Sequence, residues 1–167
     1  EFFHTWNVKR IKPKVFTPYN VNQENYTKLL WWFEGVTSYY DDLVLYRTGI
    51  IDQAQYLNII VENLNNVYKF AGVTQQSVAN SSLTSWVKYY RQDENSPNSI
   101  VSYYVKGSLV ALCLDLLLRS KSQFSLDSVM LHLFKLWQVN PIGVAEDEFP
   151  ALIQAATGVD LAEFIQQ

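Results

Sequence analysis

The sequence predicts an all-α protein, and three observations support this class. Helix caps and glycine stops recur along the chain at helical spacing. The stretch from Ser99 to Arg119 is apolar on nearly every side from Leu109 onwards, as expected for a helix that passes through a core. No set of alternating segments indicates a sheet. The 167 residues, 49% of them hydrophobic, are enough for one domain with a substantial core.

The predicted elements follow one another along the chain with short connections. In order they are a helix end at 1–5, a loop over 7–24, helices over 26–47 and 53–70, one or two short helices within 74–90, a polar loop over 91–98, helices over 99–119 and 126–138, and two short helices after 141. Gly49 is placed to end the helix over 26–47. Asp52 and Gln55 form a capping-box pattern, and Asp147 and Asp160 are expected caps of the last two helices.

Charge and composition exclude several classes of partner. The net charge is 13 − 16 = −3 without a long basic run, so nucleic acid is not an expected partner. No apolar run approaches the roughly 20 residues of a membrane span. The single Cys113 excludes an internal disulfide. Neither the cytoplasm nor the periplasm is favoured by these features.

The first four residues, Glu1-Phe2-Phe3-His4, match the end of a zinc-peptidase helix. Such a helix reads H-E-x-x-H, with two histidines one turn apart on one face and a glutamate that acts as base. The first histidine would precede Glu1. We therefore interpret residues 1–167 as a single helical catalytic-domain fragment that is truncated within its zinc-binding helix.

A second candidate is Glu34, in the segment W-W-F-E-G-V-T-S-Y-Y-D-D-L. A carboxylate among aromatic residues is costly to bury unless it is paired or bound to metal, although a salt bridge or a solvent-facing position would also explain it. Positions 34, 37, 38 and 41 share one helix face. Asp41 could therefore accept a hydrogen bond from a ligating histidine, or be a solvated acid beside Asp42.

The third candidate segment is Val101-Ser102-Tyr103-Tyr104-Val105-Lys106-Gly107-Ser108. A zinc peptidase needs a hydrogen-bond donor for the oxyanion that forms when the substrate carbonyl is attacked, and a tyrosine hydroxyl can serve. Spacing alone does not select one of the 11 tyrosines.

Together these segments resemble the glycyl aminopeptidase family of gluzincin zinc metallopeptidases. The matching stretches, which cover almost the whole chain in the right order, are E-F-F-H-T-W-N-V-K-R-I, L-W-W-F-E-G-V-T-S-Y-Y-D-D-L, V-S-Y-Y-V-K-G-S-L-V-A-L, S-L-D-S-V-M and G-V-D-L-A-E-F. The resemblance implies the helical half of a thermolysin-like catalytic domain, a peptide substrate, a missing N-terminal domain and a PDZ domain after the catalytic one.

The resemblance also assigns residues. It implies Glu1 as general base, His4 and Glu34 as zinc ligands, and Tyr104 as the oxyanion-stabilising tyrosine, because Tyr104 stands two residues before Lys106-Gly107; Tyr103 is the fallback. It implies Zn²⁺ in the intact enzyme. Because the first zinc histidine is absent, we expect weak or no zinc binding and no activity from residues 1–167 alone.

Two other functions remain open from the sequence. One is a non-catalytic helical interaction module, or a degenerate peptidase, on the same scaffold. The other is a zinc endopeptidase. A histidine before Glu1 would favour an enzyme, and any other residue there would favour the non-catalytic alternative. An aminopeptidase should refuse an N-acetylated peptide, whereas an endopeptidase should cleave it.

Overall fold

The computed structural model describes residues 1–165. Over these residues the chain is all-α, as the sequence predicts, and no β-strand forms. None of the helices in this range combines the length and the apolar character needed to cross a membrane. The α-helices are α1 Leu30–Phe33, α2 Gly35–Arg47, α3 Gln53–Tyr68, α4 Gly72–Gln75, α5 Val78–Leu83, α6 Ser96–Ser99, α7 Val105–Lys121, α8 Leu126–Val139, α9 Phe149–Thr157 and α10 Ala162–Ile165. Shorter segments of 3-10 or π-helix are Phe2–Thr5, Lys14–Phe16 and Ser85–Tyr89.

The core lies where α1 and α2 pack against α7, α8 and α9. Trp32 is fully buried, and its ring centroid lies 4.4 Å from that of Phe149 on α9. Leu114 and Leu118 on α7 are also fully buried. Each such side chain contributes about 1.5–3 kcal/mol by leaving water. This apolar centre fixes α2 and α7 side by side, and both helices begin at the candidate site.

The helix predicted over 26–47 begins later, at Leu30, and is interrupted at Glu34. In a helix that began at Tyr26, the Trp31 N–H would donate to a carbonyl four residues earlier. It donates instead to Ser82 Oγ at 2.8 Å. A tertiary contact therefore replaces the first helical turn.

The helix predicted over 99–119 begins six residues later, at Val105, and ends at Lys121. Its expected first turn is extended, because the Val101 N–H donates to Gln76 Oε1 at 3.0 Å and the Val101 carbonyl accepts from Ser81 Oγ at 2.5 Å. The predicted polar loop over 91–98 contains the start of the short helix α6.

Capping was predicted with mixed success. The Asp52 and Gln55 capping box is present, with both reciprocal bonds at 2.8–2.9 Å. Asp160 Oδ1 accepts from the Ala162 N–H at 2.9 Å. Asp147 was a wrong prediction, because α9 begins after Glu148, without a side-chain cap.

Candidate metal and catalytic site

Two glycines bring the candidate residues of different helices together. Gly35 follows Glu34 directly, and Gly107 lies one helical turn after Tyr104. A Cβ atom built on Gly107 would lie 3.0 Å from Gly35 Cα and 2.7 Å from the Trp31 carbonyl oxygen. The backbones can approach this closely only without side chains at these positions. The start of α2 and the start of α7 therefore meet, and Glu34 and Tyr104 lie on neighbouring elements.

The imidazole of His4 faces the carboxylate of Glu34. His4 Nε2 lies 3.3 Å from Glu34 Oε2, and both side chains are about one-fifth exposed, at 22% and 21%. Thirty residues separate these groups in the sequence, so the fold alone brings them together. The two residues that the resemblance implies as zinc ligands therefore lie side by side.

The other ring nitrogen of His4 fixes the tautomer. His4 Nδ1 lies 3.1 Å from the Asn7 carbonyl oxygen, which can only accept a hydrogen bond, so Nδ1 carries the hydrogen. In neutral His4 the lone pair is then on Nε2 and points towards Glu34. Metal-binding histidines in proteins are commonly held in this way by a backbone carbonyl.

Asp41 does not perform for His4 the role that was expected. The partner of His4 Nδ1 is the Asn7 carbonyl oxygen, and Asp41 Oδ2 lies 3.2 Å from the amino group of Glu1, the first residue of the sequence. The expectation that Asp41 accepts a hydrogen bond from a ligating histidine is therefore corrected for His4. For any other ligating histidine it stays a prediction. The Glu1 side chain itself is fully exposed.

Charges within the site act on Glu34. Burial raises the pKa of Glu34 above its ordinary value, the charge that His4 carries when it is protonated opposes this, and the nearby carboxylates of Glu1 and Asp41 raise the pKa further. Burial is therefore the main reason why the ionised form of Glu34 is unfavourable. A cation next to Glu34 would relieve the unfavourable energy of its ionised form.

Tyr104 is part of a cluster of hydroxyl groups. The Tyr90 hydroxyl lies 3.0 Å from that of Tyr103 and 3.2 Å from that of Tyr104. Burial raises the pKa of Tyr104, and the hydrogen bond with Tyr90 and the charge of Glu34 raise it further. Tyr104 therefore keeps its proton at neutral pH and can donate a hydrogen bond. Tyr103 is only 1% exposed, so Tyr104 is the better placed of the two to reach a substrate.

The donor atoms present fit zinc. An imidazole nitrogen and a carboxylate oxygen are ligands that catalytic zinc takes, usually three from protein with one position left for water. Across residues 1–165 no three His, Cys, Asp or Glu side chains are arranged to hold a metal. Within this range, His4 and Glu34 are therefore a pair of suitable donors and not a full set of three.

A comparison with protein families identifies the lineage of this site. The model for M61 glycyl aminopeptidases matches residues 1–110, which include the four candidate residues Glu1, His4, Glu34 and Tyr104. The chain belongs to the M61 glycyl aminopeptidase family. The resemblance inferred from the sequence motifs is thus confirmed, and the chain comes from a family of peptidases.

A solved aminopeptidase structure is also similar to this chain. The crystal structure of an aminopeptidase N family protein from Idiomarina loihiensis is 46% identical to this chain, with a TM-score of 0.93. The match covers 99% of this chain and 29% of that chain, so this M61 chain spans less than a third of the neighbour's length. No curated protein matches.

Two contacts of this M61 site were not foreseen in the sequence. Asn7 is fully buried between His4 and the start of α2, and Tyr90 bridges Tyr103 and Tyr104. Asn7 could have been suspected, because it is a polar residue between Trp6 and Val8, close to the expected ligand. No local signal distinguishes Tyr90 from Tyr89.

Proposed function

We propose that this chain carries much of the active site of a zinc metallopeptidase that removes N-terminal residues from peptides. The observation that carries the proposal is the 3.3 Å approach of His4 Nε2 to Glu34 Oε2, with the His4 tautomer set for ligation. His4 and Glu34 would hold the metal together with a third protein ligand, which the motif would place immediately before Glu1. When bound, zinc would polarise the substrate carbonyl and lower the pKa of a bound water.

The remaining residues have separate tasks. Glu1 accepts a proton from the attacking water and delivers it to the leaving amine. The Tyr104 hydroxyl donates a hydrogen bond to the oxygen of the carbonyl as negative charge develops there. The raised pKa of Tyr104 suits this task, since an ionised phenol could not donate.

Exopeptidase specificity is the finer part of the proposal. It rests on family membership and on the aminopeptidase neighbour, and a peptide with N-terminal glycine is the first substrate to test. Binding of the substrate amino group would involve residues outside this chain. The N-terminal domain, the PDZ domain and membership of the gluzincin zinc metallopeptidases likewise stay predictions.

Zinc content tests the metal site. The experiment uses the full-length protein, wild type and with His4→Ala, Glu34→Ala or His132→Ala. His132, the other histidine of the chain, lies on α8 and is the matched control. We expect about one zinc per chain in wild type and His132→Ala, and a loss of zinc in the other two variants. Absence of zinc from the wild type, or full zinc in His4→Ala, would contradict the proposal.

Peptide hydrolysis tests the chemistry. Glu1→Gln should retain zinc and lose about 10²–10⁴-fold in kcat, the range typical of a lost acid–base group. Glu62→Gln, an exposed glutamate on α3, is the control and should behave as wild type. A Gly-initiated peptide should be cleaved and its N-acetylated form refused. Cleavage of both would indicate an endopeptidase, and cleavage of neither by a zinc-loaded protein would indicate a degenerate peptidase.

A further inference from the structure

Asn7 is a fully buried amide whose hydrogen bonds join two parts of the site. Its Nδ2 donates to the Phe33 carbonyl oxygen at 3.0 Å and to Thr37 Oγ1 at 3.2 Å, with a longer contact of 3.4 Å to the Trp32 carbonyl. Phe33 directly precedes Glu34. The side chain of Asn7 is thus attached to the backbone on which Glu34 is mounted.

The main chain of Asn7 is attached to His4. Its carbonyl oxygen accepts from His4 Nδ1 at 3.1 Å. One residue therefore holds His4 through its backbone and the Glu34 segment through its side chain. A linkage of this kind fixes the separation of His4 and Glu34 as well as the orientation of each.

Two further features show that this arrangement is imposed by the surroundings. Val8 has φ 99°, which a β-branched residue rarely adopts and which costs energy unless neighbouring contacts hold it. Asn7 Oδ1 is buried without a hydrogen-bond partner within residues 1–165, which also costs energy.

We propose that Asn7 is a positioning residue that sets the spacing between His4 and Glu34 for metal binding. This inference rests on the proposed zinc site. Asn7 would act by holding the two ligands, His4 and Glu34, and would not contact the metal. Contacts that orient ligands typically change metal affinity about 10–100-fold when lost.

The test compares matched pairs of variants in the full-length protein. Asn7→Ala is paired with Gln76→Ala, which removes another buried amide with side-chain hydrogen bonds, to Val101, Asn80 and Thr84. Thr37→Val removes the hydroxyl partner of Asn7 and keeps the side-chain shape. Its control is Thr157→Val, because both threonines are buried and donate to the carbonyl four residues earlier, at 2.8 Å. Thr37→Val keeps the test decisive should Asn7→Ala fail to fold.

Two readouts are used besides activity, namely the zinc dissociation constant by competition with a chelator and the visible absorption spectrum of the Co²⁺-substituted protein. Asn7→Ala should weaken zinc binding about 10–100-fold and change the Co²⁺ bands. Thr37→Val should weaken zinc binding by a smaller factor, and both controls should match the wild type.

The two hypotheses fail in different ways. A wild type that binds no zinc overturns the zinc site and, with it, this role of Asn7. A wild type that binds zinc, with Asn7→Ala and Thr37→Val equal to their controls in affinity and spectrum, overturns only the role of Asn7.

Discussion

Gly35 and Gly107 touch through their backbones, although 72 positions separate them in the sequence. A Cβ atom on Gly35 would lie only 2.6 Å from both Gly107 Cα and the Gly107 carbonyl carbon. These are backbone atoms of α7, so no side-chain rotation can relieve the overlap. The contact determines how closely Glu34, before α2, can approach Tyr104, before α7.

Gly35→Ala should therefore destabilise the protein by about 1–3 kcal/mol, the usual cost of overpacking, and reduce kcat by moving α2 and α7 apart. The measurement is urea unfolding together with peptide hydrolysis. Gly49→Ala is the control, because Gly49 has φ 73° and nothing within 4 Å of an added Cβ. It should cost about 1–2 kcal/mol through backbone strain and leave kcat unchanged. Wild-type kcat in Gly35→Ala would contradict the role of this contact.

Tyr104→Phe should reduce kcat by about 10²–10³-fold with little change in KM, since the lost donor acts on charge that develops in the transition state. Tyr103→Phe is the matched variant and removes only a buried hydroxyl 3.0 Å from Tyr90. It should cost about 1 kcal/mol of stability and change kcat only a few-fold. Steady-state kinetics separates these results, and a larger kcat loss in Tyr103→Phe would reverse the assignment.

Asp115→Ala should destabilise the protein by about 3–5 kcal/mol. Asp115 is only 4% exposed and accepts from Tyr39 Oη at 2.8 Å, Arg119 Nε at 2.9 Å and the Leu126 N–H at 2.7 Å, so its removal leaves buried donors without an acceptor. The free energy of unfolding in urea is the measurement. Asp52→Ala, which removes an exposed helix cap, should cost only about 1 kcal/mol. Equal losses in the two variants would contradict this account of Asp115.

Asp127 should make stability depend on pH. Burial acts to raise the pKa of Asp127, but hydrogen bonds from Arg47 and Tyr40 outweigh it and hold the pKa below its usual value. A depressed folded-state pKa stabilises the protein above the unfolded value of about 3.9, and this contribution is lost as pH falls through the folded-state pKa.

The Tm of wild type should accordingly exceed that of Asp127→Asn at pH 7, and the gap should close below about pH 4. Thermal unfolding at a series of pH values measures it. Asp147→Asn is the control, because Asp147 is exposed and makes no hydrogen bond or ion pair within the described part of the chain. A gap that persists unchanged at pH 2 would show that the ionised carboxylate is not its cause.

Local sequence patterns predicted which segments form helices better than they predicted the residues at which those helices begin. Gln53–Tyr68 and Leu126–Val139 are close to the predicted ranges, because their caps and periodicity involve residues only a few positions apart. The starts of α1 and α7 were misplaced, because distant partners, Ser82 and Gln76, take the backbone donors near those starts. The ion pair of Asp115 and Arg119, at 2.9 Å, is likewise local, because i,i+4 spacing places the two side chains on one helix face.

By itself the sequence determined the all-α class, the family, and the identity of the candidate residues His4, Glu34 and Tyr104. The all-α class follows from caps, glycine stops and apolar patterns at short spacings, whereas the family and the three candidate residues follow from the resemblance of whole segments to a known family. Only the tertiary structure decided that Asn7 links His4 to the backbone beside Glu34, and that Tyr103 is buried while Tyr104 is partly exposed. These relationships join groups brought together by helix packing and by the Gly35–Gly107 contact, and no local periodicity encodes such distances.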